Sequence, residues 1–220
     1  MKIIKAILFD LDGTLVDTAP DLLRVLNQFR EEFHLPELAL QAFRSMVSLG
    51  SKFMLTKTLG IEENHPDFKM IRERFLDLYQ KHLSDSAQLF PHIDSVLAYL
   101  DQERIPWGIV TNKPMRHTVA LLKILNLDHR AACIIGGDSL PTYKPDPAPI
   151  IHACRLLKHH TKDCFYIGDS MTDVIASKAA GTKSLVALYG YIGLGEDPYT
   201  WQADGYIHEP IEILKWISFT

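Results

Sequence analysis

Short, wholly apolar runs, each bounded by Gly, Asp or Asn, constrain this chain more than any other feature. They occupy residues 6–9, 105–110, 131–135, 164–167 and 184–188. Runs this short, with no polar alternation, suit strands buried on both faces. Between them, apolar residues recur at helical spacing: Ile93, Val96, Leu97 and Leu100; then Met115, Val119, Leu122 and Leu125; then Ile150, Cys154 and Leu157. Strands alternating with helices predict an α/β fold, a Rossmann-like parallel sheet covered on both faces.

From about Pro20 to Leu83 the alternation lapses. No strand is predicted there, yet Leu22, Val25, Leu26, Phe29 and Phe33, and later Phe68, Ile71, Phe75 and Leu78, keep helical spacing. Thr18, followed three residues on by Asp21, resembles a capping box at the start of the first helix. The expected organisation is a core of residues 1–17 and 85–220 carrying an inserted α-helical cap at 18–84. The expected hinges are 16–19 and 84–91. A length of 220 residues accommodates one core with a small insertion and is short for two full-sized domains.

Charge and cysteine content narrow the function classes. Lys and Arg total 23 against 27 Asp and Glu, a net charge of −4. No basic excess is available for nucleic acid or anionic membrane. No apolar stretch reaches the roughly 18 residues that a membrane span needs. The uncharged run near the N-terminus stops at Asp10, short of a signal-peptide core. Cys133, Cys154 and Cys164 are odd in number and have no CxxC spacing, which points to a reducing, cytoplasmic setting. Neither a heptad nor an apolar surface stripe marks an interface, so a monomer or homodimer is expected.

Four constellations could carry chemistry, and each follows a predicted strand. Asp10 and Asp12, in Asp10-Leu11-Asp12-Gly13-Thr14, are two carboxylates at spacing i, i+2, able to share a divalent cation or divide nucleophilic and acid–base roles. Alone, Asp-Gly followed by Thr14-Leu15-Val16 reads equally well as a hairpin turn with a returning strand. Thr111-Asn112-Lys113-Pro114 offers a hydroxyl and backbone N–H groups to phosphate oxygens, or an ordinary helix entry. Lys144, stiffened by Pro145 and Pro147, could neutralise a phosphate or a carboxylate pair, or sit solvated in a turn. Asp169 and Asp173, in Gly168-Asp169-Ser170-Met171-Thr172-Asp173, could hold Mg²⁺ or cap a helix. All four fall in order at the end of a parallel sheet where α/β proteins bind ligands. The joint functional reading therefore outweighs four separate bland ones.

Taken together, these motifs resemble motifs one to four of the haloacid dehalogenase-like hydrolase superfamily, in its order and over essentially the whole chain. The helical insertion resembles the small-cap subclass that contains phosphoglycolate phosphatases. The run 106–114, with Tyr189-Gly190-Tyr191-Ile192, Trp201 and Ala203-Asp204, is similar to a branch named for phosphoglycolate or N-acetylmuramic acid 6-phosphate phosphatases.

The resemblance implies an Mg²⁺-dependent phosphomonoesterase acting on a small phosphorylated metabolite. Asp10 would attack phosphorus. Asp12 would protonate the leaving alcohol and then activate water. Thr111 and Lys144 would serve the phosphoryl group, with Gly13, Asn112 and Lys52 contacting substrate. Mg²⁺ would rest on Asp10, the Asp12 carbonyl and Asp169, with Asp173 helping either as a direct ligand or from just behind them. The headline expectation is the phosphoglycolate phosphatase type, with N-acetylmuramic acid 6-phosphate as the rival substrate. A mutase, a non-catalytic sensor of a phosphorylated ligand, and a phosphonatase using Lys52 for a Schiff base are the lesser alternatives. Asp12 argues against the last.

Other conspicuous residues read as structural. The ten histidines lack metal-ligand spacing, with His159 and His160 expected at a helix end. Trp107, Cys154 and Cys164 are expected to be packed. Tyr191 and Trp201 either line the entrance or pack.

Overall fold

The computed structural model describes residues 4–83 and 85–218, so Ser84 of the second expected hinge lies outside the described residues. The chain opens with β1 (Ala6–Phe9) and β2 (Val16–Asp17), followed by α1 (Ala19–Glu32), α2 (Leu40–Val47), α3 (Gly50–Leu59) and α4 (Phe68–Lys81). Then come β3 (Gln88–Leu89), α5 (Ile93–Gln102), β4 (Trp107–Val110), α6 (Met115–Ile124), β5 (Cys133–Ile135) and α7 (Ala148–Leu156). It closes with β6 (Cys164–Gly168), α8 (Met171–Ala180), β7 (Lys183–Ala187), β8 (Gly205–Ile207) and α9 (Ile213–Ser218).

Six strands form one parallel sheet in the order β5-β4-β1-β6-β7-β8. All five expected strands are in it. The sixth, β8, escaped the sequence pattern because it is only Gly205, Tyr206 and Ile207 after an irregular stretch.

Alternation along β1 divides the core. Ile7 and Phe9 face one side with Ile109, Phe165 and Ile167. Ala6 and Leu8 face the other, against Ile150, Ala153 and Cys154 of α7 and Ala176 and Ala180 of α8. Each fully buried large apolar side chain contributes about 1.5–3 kcal/mol, so the sheet is anchored through its centre. Trp107 and all three cysteines are buried, as expected of packed residues.

The helical block between β2 and β3 has its own apolar stripe. Leu22, Val25, Leu26 and Phe29 of α1 are buried, as are Phe75 and Tyr79 of α4, and the Phe29 and Phe75 rings meet edge to face at 5.9 Å. This interior is continuous with the Ile7/Phe9 side of the sheet. Entry and exit are stapled where β2 pairs antiparallel with β3, Val16 opposite Leu89 and Asp17 opposite Gln88. Val16 therefore does not return along β1 as a hairpin would have it.

One local expectation changes. Thr18 occupies the N-cap position of α1 but makes no cap hydrogen bond; its hydroxyl donates to Asp12 Oδ1 at 2.6 Å. Asp21 instead accepts the backbone N–H groups of Ser86 and Ala87, at 3.2 and 2.9 Å, and so holds the returning chain. Both side chains are turned to partners outside the helix start, and no capping box forms. Helix α7 ends at Leu156, and the His159 N–H closes its C-terminus on the Cys154 carbonyl at 3.0 Å, so His159 and His160 follow the helix end as expected.

Candidate active site

The four constellations converge at the carboxyl ends of β1, β4 and β6 and on the loop after β5. A pocket of about 400 Å³ opens there, beneath α1–α4. Asp10, Asp12, Thr111, Lys144 and Ser170 line it from below, and Leu22, Val47, Met54, Phe75 and Tyr79 from above.

Asp10 follows the last residue of β1 and is buried. Its Oδ1 accepts the Leu11 N–H at 2.8 Å and lies 3.0 Å from Lys144 Nζ. Burial pushes its pKa up to about 6, with Lys144 opposing the rise. Lys144 is 2% exposed at its side chain and donates to Tyr166 Oη and Asp173 Oδ1, both at 2.7 Å. Burial alone would lower the Lys144 pKa, but the carboxylates of Asp10 and Asp173 outweigh it and raise it. The solvated-turn reading of Lys144 is thereby excluded.

Asp169 is fully buried, and its Oδ2 accepts the Tyr191 N–H at 2.8 Å and the Ser48 hydroxyl at 2.9 Å. Its pKa is pushed well up by burial first and by Asp10 and Asp173 next. Asp173 serves two masters. Its Oδ2 completes a capping box with Ser170 at the start of α8, while Oδ1 takes Lys144. The capping reading holds for this residue, and its second oxygen is taken by Lys144.

Asp10, Asp169 and Asp173 offer oxygens that all lie within 4.8 Å of one another. Against these three carboxylates stands the single ammonium of Lys144. A buried set of hard oxygens with surplus negative charge fits a divalent cation such as Mg²⁺. Gly13 makes the approach feasible. Its φ is +82°, and a Cβ there would strike Asp169 and Tyr191.

Asp12 lies apart from this cluster. Lys113 Nζ sits 3.0 and 3.1 Å from its two oxygens, and Thr18 supplies a third donor. Thr111 is buried. Its Oγ accepts the Lys113 N–H at 3.2 Å, and its own proton has no acceptor among the described residues. The Asn112 side chain has a task that sequence reasoning did not foresee. It bonds Lys144 through both main-chain groups, accepting from N at 3.0 Å and donating to O at 2.8 Å.

Lys52 lines the pocket. Gly50, with φ +83°, opens α3, so Lys52 sits in the first helical turn. Its Nζ is 2.9 Å from Glu63 Oε2, and its side chain is 56% exposed.

Four site residues escaped sequence reasoning: Lys113, Tyr79, Ser48 and Thr14, whose hydroxyl donates to Asp169 Oδ1 at 3.3 Å. A signal existed for Tyr79, which lies four residues after Phe75 on the same helical face. None existed for Ser48.

The fold and this carboxylate cluster define a haloacid dehalogenase-like hydrolase, and the chain belongs to that family, whose profile matches residues 7–187. Its relatives are phosphatases. The chain is 38% identical over 213 residues to a phosphoglycolate phosphatase of Xanthomonas campestris pv. campestris, covering 97% of this chain and 96% of the relative. It is 34% identical over 211 residues to the N-acetylmuramic acid 6-phosphate phosphatase of Pseudomonas aeruginosa, covering 96% and 93%. The crystal structure of a predicted phosphoglycolate phosphatase from Haemophilus somnus superposes with a TM-score of 0.86 at 29% identity, covering 97% of each chain. Among the described residues no helix is long and apolar enough to cross a membrane.

Proposed function

We propose that this protein hydrolyses a small phosphomonoester with Mg²⁺, through an aspartyl-phosphate on Asp10. The observation that carries the reading is the buried cluster of Asp10, Asp169 and Asp173 around Lys144. A dianionic phosphate repels a carboxylate nucleophile, and only a site with cations built beside that nucleophile can bring the two together.

Asp10 Oδ1 is engaged by Leu11 and Lys144, whereas no donor to Oδ2 is found among the described residues, so Oδ2 is the attacking oxygen. As the bond from Oδ2 to phosphorus forms, the bond from phosphorus to the alcohol oxygen breaks. Asp12 gives that oxygen its proton, then takes one from the water that attacks the aspartyl-phosphate. Orthophosphate leaves and Asp10 is restored. Lys144 neutralises charge on Asp10 and the phosphoryl group, and the Thr111 hydroxyl donates to a phosphoryl oxygen. Asp10, Asp169 and the Asp12 carbonyl would hold Mg²⁺, with Asp173 at its edge because both Asp173 oxygens already have partners. When bound, the ion supplies positive charge to the transferring phosphoryl group.

The substrate reading is of the phosphoglycolate phosphatase type. One observation favours the second reading, N-acetylmuramic acid 6-phosphate. A pocket of about 400 Å³, walled by Leu22, Val47, Leu49, Met54, Phe75 and Leu76, is far roomier than a two-carbon acid requires. The four helices between β2 and β3 act in this reading as a cap that excludes water and selects the alcohol. The unpaired cysteines and the lack of a membrane-spanning helix among the described residues accord with work in the cytoplasm. Orthophosphate release from a panel containing both substrates, with and without Mg²⁺, tests the reading. Release from neither, or release indifferent to Mg²⁺, removes it.

A further inference from the structure

Asp12 is held by Lys113, and Lys113 is held in turn by the helical insertion. Lys113 Nζ lies 3.0 and 3.1 Å from the two Asp12 oxygens and 2.9 Å from Tyr79 Oη on α4. An ammonium has three N–H donors, and these three acceptors use them all. The Lys113 side chain is 6% exposed and Tyr79 is 1% exposed, so water does not substitute for either partner. Lys113 has no donor to spare for a phosphate. That task stays with Lys144.

Two further ties run alongside. His117 Nδ1 lies 2.7 Å from Gln80 Oε1, and Arg116 Nη2 donates to Asp77 Oδ1. Burial and the neighbouring Lys113 push the His117 pKa down to about 4, so the ring is neutral. Residues 113, 116 and 117, at the entry to α6, are thus each paired with a residue of the last turns of α4. Of the three ties, only Lys113 to Tyr79 reaches a group of the reaction.

We propose that Lys113 is a positioning residue and Tyr79 its grip: together they make the placement of the Asp12 carboxylate depend on α4 being seated against the entry of α6. The inference rests on the reading of Asp12 as the acid–base group. A lysine stem has four rotatable carbons and no geometry of its own. Anchored at both ends, the ammonium fixes the carboxylate. With α4 unseated, Nζ loses its third acceptor and Asp12 its orientation, so the proton transfer is in place only under a seated insertion.

The test is a double-mutant cycle on the Mg²⁺-loaded full chain, with an alkyl phosphate that the wild type hydrolyses. Lys113→Met lowers kcat roughly ten- to hundredfold, part of the about 10²–10⁴-fold that a placed acid–base group contributes. KM stays within about threefold, because uniform substrate binding is untouched. Tyr79→Phe lowers kcat about threefold or more in the wild-type background and adds nothing in the Lys113→Met background, the signature of residues acting through one another. If Lys113→Met does not fold, Lys113→Gln, which keeps a donor for Asp12, takes its place in the cycle. Losses that multiply independently, or effects confined to KM, overturn the proposal. A wild type that releases no orthophosphate from any phosphomonoester is a different failure: it removes the reading of the site, and this inference with it.

Discussion

The pocket contains two ammonium–carboxylate centres, the second part-buried, that differ in how their charges balance. Around Lys144 three carboxylates crowd one cation, and burial raises the pKa of both Asp10 and Asp169. Around Lys113 one carboxylate meets one cation and a phenol, and every donor of the ammonium is spent. The first centre is incomplete as protein alone and invites a cation and a phosphoryl group. The second is balanced, and its lysine can only hold the Asp12 carboxylate still. In the proposed reading, charge imbalance marks the lysine that meets a phosphoryl group and charge balance the lysine that positions Asp12.

The contrast is broken most forcefully at the nucleophile. Asp10→Asn removes the attacking oxygen and is expected to cost at least about 10⁴-fold in kcat, as loss of a covalent nucleophile does. Because it relieves surplus negative charge, its metal-free melting temperature should equal or exceed that of the wild type. A melting temperature well below wild type would show that the centre is not overcharged.

Asp12→Asn should lose about 10²–10⁴-fold on alkyl phosphates and less on p-nitrophenyl phosphate, whose leaving group needs little protonation. It should also destabilise the fold, by less than the about 3–5 kcal/mol lost when a fully buried pair is deprived of one partner, because Lys113 is left facing a neutral, part-exposed amide. Chemical unfolding beside burst kinetics reads both effects. An Asp12→Asn protein as stable as wild type would erase the distinction between the centres.

Mg²⁺ itself should raise stability by about 2.7 kcal/mol at one hundred times its dissociation constant, since it binds only the folded protein. Asp169→Ala should abolish that shift in a thermal melt, whereas Lys113→Gln should retain it. A shift that survives Asp169→Ala would reduce Asp169 to a helix-end residue.

The smallest effect is expected outside both centres. Lys52 is already paired with Glu63 and more than half exposed. Lys52→Ala should therefore lower kcat/KM for carboxylate-bearing substrates by tenfold or less, below the roughly ten- to hundredfold of a buried charge-assisted hydrogen bond. A larger loss, specific to such substrates, would make Lys52 a recognition residue after all.

How far the sequence could be read follows from the range of each interaction. β1 announces itself as an unbroken apolar run, and Asp10 stands out as the carboxylate that ends it. β8, three residues long, is defined only by its neighbour β7. Lys113 was in view, in the run Thr111-Asn112-Lys113-Pro114, but a lysine before a helix reads as solvated. The phenol that captures it lies 34 residues away, on an element whose placement no local pattern gives. Thr18 shows the opposite failure. Its local pattern fits a capping box, yet Asp12, six residues back, takes the hydroxyl. Motifs were legible; the second partner of each motif residue was not.

The staple of β2 and β3 has a consequence of another kind. Four residues, Val16 and Asp17 against Leu89 and Gln88, hold both ends of the helical block side by side. With its ends already together, a block can lengthen or shorten at little entropic cost, since doubling a closed loop adds only about 0.6 kcal/mol. The carboxylates below feel the block at few points, directly at Ser48 on Asp169 and through Lys113 from Tyr79 to Asp12. One hydrolytic platform can therefore tolerate changes of length in the block over it, provided these few contacts are kept.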